Sequence, residues 1–572
     1  MPASGPSTTS NRPTTGMNSS LSTVDNESGP AVPKEPAPKE AGPKHPSTGL
    51  SAALVAAGIL LSRITGLIRV SVFAHYFGNT DAADAFNAAN KIPNILQMLF
   101  GEGVLSASFI PVYARLLAEG DEKEARKVAG AIFTLLTLSV SVIVLVGVFI
   151  APYMIDLIAW GFQGAKRELT IRLVRIFFPA IGLLVISAWC LGILNSHRKF
   201  FLSYSAPVAL NLVVIAFLIG FGGHRSIDDL AVTVTWGYVA GSLIQIAVQF
   251  PTILRLLHGL PIAFDYVSES VRTIVRNFIP VSTSRGVVQI SSYIDQVIAS
   301  FLGTGAVAGL AYALLLSQLP ISLFGMAVSA AELPAMSSVM GDEAEIANRL
   351  RSRLNYGLRR IAFFVVPSAI GFLALGDIVS AGVYQSGKFT HNDAIYVWGI
   401  LAGSSVGLLA QTLGRLYSST YYALRDTRTP LRYAIVRVFL TSILGFLFAI
   451  PLPGLLGIDM KWGAAGLTAS FGIAGWVEFL MLRRTLNKRI GQTGLSKSYV
   501  TKLWLAATCA AGVGWIIKLA AGHHNPRLVA ILVIGPYALV YFAITAAMGI
   551  SEAGALFSRL TRMTGLGGGR KS

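Results

Sequence analysis

The chain has 572 residues, of which 53% are hydrophobic and only 13% are charged. Ordinary soluble domains carry about 25% charged residues, so this composition excludes that class and indicates an integral membrane protein with many spans. The net charge of +18 does not indicate nucleic acid as a partner, because basic residues gather in the loops that stay on the cytoplasmic side of a membrane. The two cysteines, Cys190 and Cys509, both lie in apolar runs, so no disulfide framework is expected.

The first 48 residues form a segment of different composition. Nine of the 25 prolines fall there, among serines, threonines and alternating lysines and glutamates. Such a segment buries too little apolar surface to offset the entropy of ordering it. It also has no apolar core of the kind that a cleavable signal peptide needs. We expect a disordered cytoplasmic tail, which as a simple spacer fits the composition better than a regulatory segment does.

From Leu50 onward, apolar stretches long enough to cross a bilayer alternate with short polar breaks. The sequence therefore predicts an all-α polytopic membrane protein with about fourteen transmembrane helices. These helices are expected at roughly 50–77, 84–118, 126–152, 170–195, 201–222, 228–257, 271–302, 305–338, 347–376, 393–423, 430–451, 463–486, 500–521 and 526–550.

The connections between these helices differ in charge. Every second connection is rich in lysine and arginine, whereas the others together contain only Lys166, Arg167, Arg225, Lys388, Lys461 and Arg527. Basic loops stay on the cytoplasmic side, so the pattern predicts that both termini are cytoplasmic. The first basic set contains Lys123, Arg126 and Lys127, and the last contains Arg559, Arg562, Arg570 and Lys571.

The first two predicted helices carry four charged residues within apolar surroundings: Arg63, Arg69, Asp84 and Glu102. An ionised side chain at the centre of a bilayer costs at least about 2.5–3.5 kcal/mol unless it faces water or a partner. Four such groups in one hairpin favour a polar cavity over fixed pairs that only specify packing. Pro93 and the glycines beside Glu102 are expected to bend the second helix.

Prolines recur inside several predicted helices, at Pro93, Pro111, Pro179, Pro280, Pro320 and Pro334. Ordinary kinks explain any one of them, and a hinged gate is the alternative that their recurrence raises. The sequence offers no constellation for enzymatic chemistry, since its histidines are scattered and no nucleophile accompanies a base. It thus predicts neither an enzyme nor a metal site.

Several motifs resemble those of the MurJ/MviN family of lipid II flippases. They are SRITGLIRV, the FG…DAADAF turn, KIPNILQMLFGEGVLSASFIPVY, YQSGKFTHNDA and ALRDTRTPLRYA, and the similarity extends over about residues 50–550. That family belongs to the multidrug/oligosaccharidyl-lipid/polysaccharide (MOP) exporter superfamily. The resemblance implies two six-helix lobes plus two C-terminal helices around a central cavity.

The resemblance also implies a function. It implies alternating-access transport of lipid II, the undecaprenyl-pyrophosphate-linked peptidoglycan precursor, from the inner to the outer leaflet of a bacterial cytoplasmic membrane for cell-wall synthesis. It implies no cofactor, a coupling ion or the membrane potential as the energy source, and a monomer that contacts membrane lipids and the cell-wall synthesis machinery. Arginine suits a pyrophosphate substrate because its planar fork binds phosphate through two hydrogen bonds.

Arg63, Arg69, Asp84 and Glu102 match charged positions of the family. Two further arginines of the family's cavity fall on Gln97 and Leu315 in this sequence. We therefore expect Arg285 to complete a three-arginine phosphate site, with Glu332 pairing to it when the cavity is empty. A permanent Arg285–Glu332 bridge between two helices is the alternative.

The predicted domains follow the resemblance. They are a tail (1–48), an N-terminal lobe (49–257), a C-terminal lobe (258–490), two extra helices (491–551) and a basic cytoplasmic tail (552–572). The extra helices are expected to form a groove for the prenyl chain, with simple lipid-facing packing as the alternative. Two other functions stay open: another MOP transporter, such as a drug or cation antiporter or a flippase for another polyprenyl-linked glycan, and a non-transporting membrane scaffold.

Overall fold

A computed structural model of the chain describes residues 48–259, 268–339, 341–522 and 524–554. Within those ranges, the side chains of residues 48–56, 95, 102, 281 and 283–289 are not part of the description. Both predicted tails, apart from residues 48 and 552–554, lie outside the described residues.

The described chain is helical throughout. Its helices are α1 (Thr48–Phe77), α2 (Asp81–Lys91), α3 (Asn94–Phe100), α4 (Glu102–Ser108), α5 (Ile110–Ala118), α6 (Glu122–Ile158), α7 (Gly164–Ser196), α8 (Phe200–Phe221), α9 (Ile227–Leu256), α10 (Glu269–Ser300), α11 (Ala306–Pro320), α12 (Ala327–Ser337), α13 (Glu343–Tyr384), α14 (His391–Ala423), α15 (Arg428–Ala449), α16 (Pro451–Leu456), α17 (Gly463–Ile490), α18 (Lys497–Ala521) and α19 (Pro526–Ala547).

The predicted all-α membrane fold is confirmed. The helices make up fourteen segments at the predicted places, and within the described residues thirteen are long and apolar enough to cross a membrane. The segment that does not qualify is α10, which is 32 residues long but carries many serines and charged residues. A chain of this kind crosses lipid as helices because each backbone N–H and C=O then finds its partner within the segment. The predicted domain boundaries stay predictions.

The second and eighth segments are interrupted, and each contains a proline at one of its interruptions. The second segment is split into α2, α3, α4 and α5, with Pro93 as the residue before α3. In the eighth, Pro320 ends α11 and a π-helical turn (Ile321–Met326) leads into α12. Proline removes an intrahelical hydrogen bond, and π-turns often occur where a helix serves a function. In contrast, α7 continues through Pro179 and α10 through Pro280.

The helices of each half of the chain pack against one another, and α10 contacts both halves. Helix α14 packs along both α13 and α17, and α17 also packs along α15. In the N-terminal half, α7 packs against α6 and α9, and α8 packs against α9. Helix α10 contacts α3, α4 and α6 as well as α11, α15 and α17. It therefore connects the two halves of the chain.

The C-terminal end of α1 lies against the turn that follows α13. The N–H of Lys388 donates to the carbonyl of His75 at 2.8 Å, and the hydroxyl of Ser71 donates to the carbonyl of Val383 at 2.5 Å. Gly78 has φ +59°, and a Cβ on it would lie 2.6 Å from the carbonyl oxygen of Lys388. Only glycine fits such a position without strain, so the glycine of the FG motif permits this close approach to the SGKF motif.

Candidate functional site

A cavity of about 680 Å³ lies among helices α2, α10, α11, α14, α15 and α17. Its lining on α14 runs from Ser404 to Tyr422, which is about 27 Å of helix at 1.5 Å per residue. Five charged side chains face it: Lys91, Asp295, Arg415, Arg437 and Glu478. Serine hydroxyls and two glutamine amides supply most of its remaining polar groups. We call this space the C-terminal cavity.

Lys91 at the end of α2 reaches across to α10. Its ammonium group donates to the carbonyl of Ser292 at 2.7 Å and lies 3.5 Å from the amide oxygen of Gln296. Asp295 lies close enough for an electrostatic attraction to Lys91, and the buried Oδ1 of Asp295 has no hydrogen-bond partner within the described chain. The ammonium thus connects the N-terminal half to the wall of the C-terminal cavity.

Two arginines and one glutamate meet at another part of the cavity lining, and we call them the arginine cluster. Arg437 of α15 donates through Nη1 to Glu478 of α17 at 3.0 Å. Arg415 of α14 lies within electrostatic range of both. The cluster thus contains two positive charges and one negative charge.

Asp84 occupies a different environment, at the end of the molecule predicted to face outward. Its side chain is 0% exposed. It accepts hydrogen bonds from the ammonium of Lys166 at 2.6 Å and from the backbone N–H groups of Gly305 and Ala308, both at 2.7 Å. Gly305 has no side chain with which to cap α11, so the carboxylate of Asp84 supplies that cap from another helix.

Asp81 extends the same contact by accepting from Lys166 at 2.8 Å and from Thr304 at 2.9 Å. Next to it, the hydroxyl of Tyr312 donates to the carbonyl of Gly78 at 2.9 Å. The contacts of Asp84, Asp81 and Lys166 with the start of α11, together with that tyrosine, are called the α11 cap below. They hold α2 and α7 against α11 at this end.

The predicted site residues of α1 do not line the C-terminal cavity. Arg63 is exposed, and it forms no ion pair with any residue that the structure describes. Arg69 is half-buried, with its guanidinium carbon 5.3 Å from the centre of the Tyr238 ring. These two arginines and Asp84 therefore lie in separate environments.

The side chains of Glu102 and Arg285 lie outside the described residues, although their backbones belong to α4 and α10. Glu332 pairs with Arg353 of α13 at 3.5 Å, whereas the sequence favoured Arg285 as its partner. The predicted Arg285–Glu332 contact stays a prediction. Gln97 is exposed and Leu315 is half-buried.

Three charged residues of the cavity were not predicted as site residues: Arg415, Arg437 and Glu478. All three lie within predicted membrane spans, where the cost of an ionised side chain makes any charged residue a candidate for a functional site. Charged residues of the first hairpin, of α10 and of α11–α12 were predicted as site residues on the same ground, which applies equally to Arg415, Arg437 and Glu478. It would not have shown that they meet, since they lie on three different helices.

The comparisons with known proteins agree on one family. The family model described as "Lipid II flippase MurJ" matches residues 73–552. The chain belongs to the MurJ family. A probable lipid II flippase MurJ of Haemophilus influenzae is 31% identical, with 80% of this chain and 90% of the relative covered. The lipid II flippase MurJ of Burkholderia cenocepacia is 30% identical, with 75% and 82% covered.

Solved structures give the same relationship for the fold of this MurJ-family chain. A lipid II flippase MurJ in an inward closed conformation matches with a TM-score of 0.70 at 25% identity, covering 87% of this chain and 98% of the other. An inward-facing MATE transporter of the MOP superfamily matches with a TM-score of 0.59 at 16% identity, covering 76% and 98%. The second likeness concerns the fold alone, and it agrees with the MOP superfamily that the motifs imply.

Proposed function

We propose that this chain is a lipid II flippase, which moves the undecaprenyl-pyrophosphate-linked peptidoglycan precursor from the inner to the outer leaflet of a bacterial cytoplasmic membrane. The observation that carries the proposal is the MurJ family match over residues 73–552. Relatives that bear the name lipid II flippase are about 30% identical over three quarters or more of the chain.

The polar interior supports this function. A lipid-linked pyrophosphate must move a hydrated anion across about 30 Å of hydrocarbon. The C-terminal cavity contains three cations, Lys91, Arg415 and Arg437, and follows α14 for much of its length. Such a lining replaces the lost hydration with fixed donors.

Alternating access requires that one end of the transport path is closed while the cavity extends toward the other end. At one end the α11 cap joins α2 and α7 to α11, and the SGKF turn lies against α1. The cavity lining continues toward the other end, as far as Tyr422 near the end of α14. Opening the capped end would separate Asp84 from the N–H groups of α11. Asp84 in this proposal controls closure and does not contact the substrate.

The remaining site residues keep their predicted roles within the proposal. Arg63 and Arg69 would bind the pyrophosphate of the substrate from α1, and Arg285 would add a third guanidinium. Glu102 would hold the arginines between turnovers, and Glu332 would pair with Arg285 when the cavity is empty. The exposure of Arg63 and its freedom from ion pairs with described residues favour a role in binding a ligand.

Localisation and partners complete the proposal. The chain is a multi-pass membrane protein, and we place it in the cytoplasmic membrane with both termini in the cytoplasm. Lipid II and membrane lipids are its proposed partners. It would act as a monomer beside the cell-wall synthesis machinery, using a coupling ion or the membrane potential and performing no chemistry on its substrate.

Complementation tests the function directly. A bacterium depleted of its own lipid II flippase should regain growth when it expresses this chain, and its lipid II should become accessible to a membrane-impermeant enzyme that cleaves it. Failure of growth with abundant protein in the membrane would contradict the proposal. Accumulation of a hydrophobic cation in vesicles in place of lipid II transport would favour the antiporter alternative.

Neutralising the two arginines of α1 tests the site. The Arg63→Gln/Arg69→Gln variant should reduce lipid II transport by about tenfold or more, since two charge-assisted contacts to phosphate are lost. Arg255→Gln, an exposed arginine in the last turn of α9, is the matched control. Normal transport by the double variant would remove Arg63 and Arg69 from the site and leave the flippase function in place.

A further inference from the structure

The arginine cluster has more positive charge than its own residues neutralise. Glu478 is the one acidic side chain that pairs with Arg437 among the described residues, and Arg415 shares the electrostatic field of the same carboxylate. The guanidinium of Arg415 makes no hydrogen bond or ion pair with any described residue, although the side chain is exposed to the cavity. One positive charge therefore remains unneutralised at this wall.

Arg437 is also incompletely satisfied. Its Nη1 donates to Glu478, but its buried Nε–H has no hydrogen-bond partner in the described part of the chain. The guanidinium carbon lies 5.5 Å from the centre of the Phe471 ring. A ring at this distance helps to hold the guanidinium in place, and it leaves the other N–H groups available to a ligand.

The cluster lies at the depth where a transported headgroup must pass. Arg415 is eight residues from the end of α14 and Arg437 nine residues from the start of α15, so each lies about 12–14 Å from the helix end that is predicted to be cytoplasmic. Ser418, Ser419 and Tyr422 line the cavity on the same side. The hydroxyl of Ser419 already donates to the carbonyl of Arg415, whereas the hydroxyls of Ser418 and Tyr422 add donors that suit an anion with several oxygens.

We propose that Arg415 and Arg437 form a diphosphate-binding subsite in the C-terminal cavity, with Glu478 as an internal counter-ion that the diphosphate of the substrate displaces. The subsite rests on the proposed flippase function and adds a second place of contact for the diphosphate, on α14 and α15, apart from Arg63 and Arg69 of α1. Two guanidinium groups match the two negatively charged phosphates of a diphosphate, and each fork binds oxygens through paired hydrogen bonds. Glu478 keeps Arg437 neutralised until the substrate arrives.

A permanent Arg437–Glu478 bridge between α15 and α17 is the opposing explanation, and the two make opposite predictions for Glu478. If Glu478 competes with the ligand for Arg437, then Glu478→Gln frees the guanidinium and strengthens diphosphate binding. If the pair only joins two helices, then Glu478→Gln leaves a buried charge unpaired and gains nothing in affinity.

The experiment measures binding of radiolabelled undecaprenyl diphosphate to the purified full-length protein in detergent micelles. Arg415→Gln/Arg437→Gln should weaken binding by about tenfold or more, and Glu478→Gln should strengthen it by about threefold or more. Neutral undecaprenol should not compete, and phosphatidylglycerol should compete far less well than undecaprenyl diphosphate does.

The chain provides a matched control in a second intramembrane ion pair. Lys518 of α18 donates to Asp377 of α13 at 2.6 Å, away from the cavity lining. The Lys518→Gln/Asp377→Asn variant removes one charge of each sign and should bind undecaprenyl diphosphate within about twofold of the unsubstituted protein. Gel filtration and thermal melting establish which variants are folded. If the double arginine variant is not folded, the affinity of the Glu478→Gln variant tests the subsite by itself.

Three results would overturn the subsite: no binding of undecaprenyl diphosphate, unchanged affinity in the double arginine variant, or unchanged or weaker binding in Glu478→Gln. Equal competition by phosphatidylglycerol would overturn the assignment to the substrate. Complementation separates these from failure of the function. If the unsubstituted chain restores growth and the double arginine variant binds and transports normally, only the subsite is refuted. If undecaprenyl diphosphate binds specifically but the chain does not restore growth, only the flippase function is refuted.

Discussion

The α11 cap and the arginine cluster both contain buried charge, but they satisfy it to different degrees. Asp84 is fully buried and accepts three hydrogen bonds, two from the start of α11 and one from Lys166. Arg437 has one ion pair and an unpartnered Nε–H within the described chain, and Arg415 has only electrostatic neighbours there.

The difference separates closure from binding. A carboxylate whose hydrogen bonds all come from the protein, as with Asp84, stabilises one arrangement of helices. It has little hydrogen-bonding capacity left for a ligand. A pair of guanidinium groups with too few acceptors leaves donors for a ligand that brings its own charge. Charged residues within the membrane therefore have two roles here, and the degree of satisfaction distinguishes them.

The α11 cap is predicted to face the outside of the cell, and cysteine labelling tests this orientation with an all-or-none result. After replacement of the exposed Cys509, single cysteines at Asn79 and Gln385 should react with a membrane-impermeant reagent added to intact cells. Cysteines at Glu122 and Thr427 should react only after permeabilisation, since basic loops stay in the cytoplasm. Reversed labelling at any two of these positions would place the cap on the inner side.

The largest effect on stability is expected at Asp84. Asp84→Asn removes the negative charge that faces Lys166 and the start of α11, and breaking such a buried pair costs about 3–5 kcal/mol. The measurement is unfolding of the purified protein in mixed micelles. Asp81→Asn is the control, because the side chain of Asp81 is 56% exposed and exposed pairs contribute about 0–1 kcal/mol. Equal stability of the two variants would contradict the role of Asp84 as a buried cap.

A smaller effect is expected at Asp426, which caps α15 from the loop after α14. Its carboxylate accepts from the N–H of Thr429, from the Thr429 hydroxyl and from Arg489. The backbone hydrogen bond from Thr429, with these partners, lowers the pKa of Asp426 to about 2. A lowered pKa stabilises the folded state at pH values above the pKa of an aspartate in the unfolded chain, which is about 4. This contribution is lost as the pH falls toward 2.

Unfolding of Asp426→Asn and of the unsubstituted protein, measured from pH 6 down to pH 2.5, checks this expectation. The variant should be less stable at pH 6, and the difference should shrink as the pH falls below about 4. A difference that stays constant with pH would show that the charge of Asp426 does not stabilise the α15 cap.

Much of the fold could be predicted from the sequence because the bilayer restricts what a chain can do. A lipid-exposed backbone must form helices, and a spanning helix needs about 20 apolar residues, so composition and spacing predicted the thirteen described segments that are apolar enough to cross a membrane. Pro93 and the glycines after Phe100 also predicted the breaks that separate α2, α3 and α4. The motifs indicated the family by their resemblance alone, and the structure shows that the glycines of FG and SGKF lie where two backbones approach closely.

The partners of the charged residues could not be predicted in the same way. Periodicity shows which residues share a face of one helix, but it does not show which helix that face meets. Asp84 and Glu102 are eighteen residues apart, which on an unbroken helix would place them on one face, about 27 Å apart along the axis. The breaks at Pro93 and Gly101 remove that relationship, and Asp84 instead caps α11. Glu332 likewise meets Arg353, which lies one helix further along the chain.

The sequence by itself determined the class of the protein, its helical segments and its resemblance to one family, since these depend on local composition and on short motifs. The tertiary structure decided which charges meet: Lys166 with Asp84 across 82 residues, and Arg437 with Glu478 across 41. The physical reason is that an ion pair in a membrane protein depends on the rotation and depth of two separate helices. Those are set by packing over the whole bundle, and no local pattern records them.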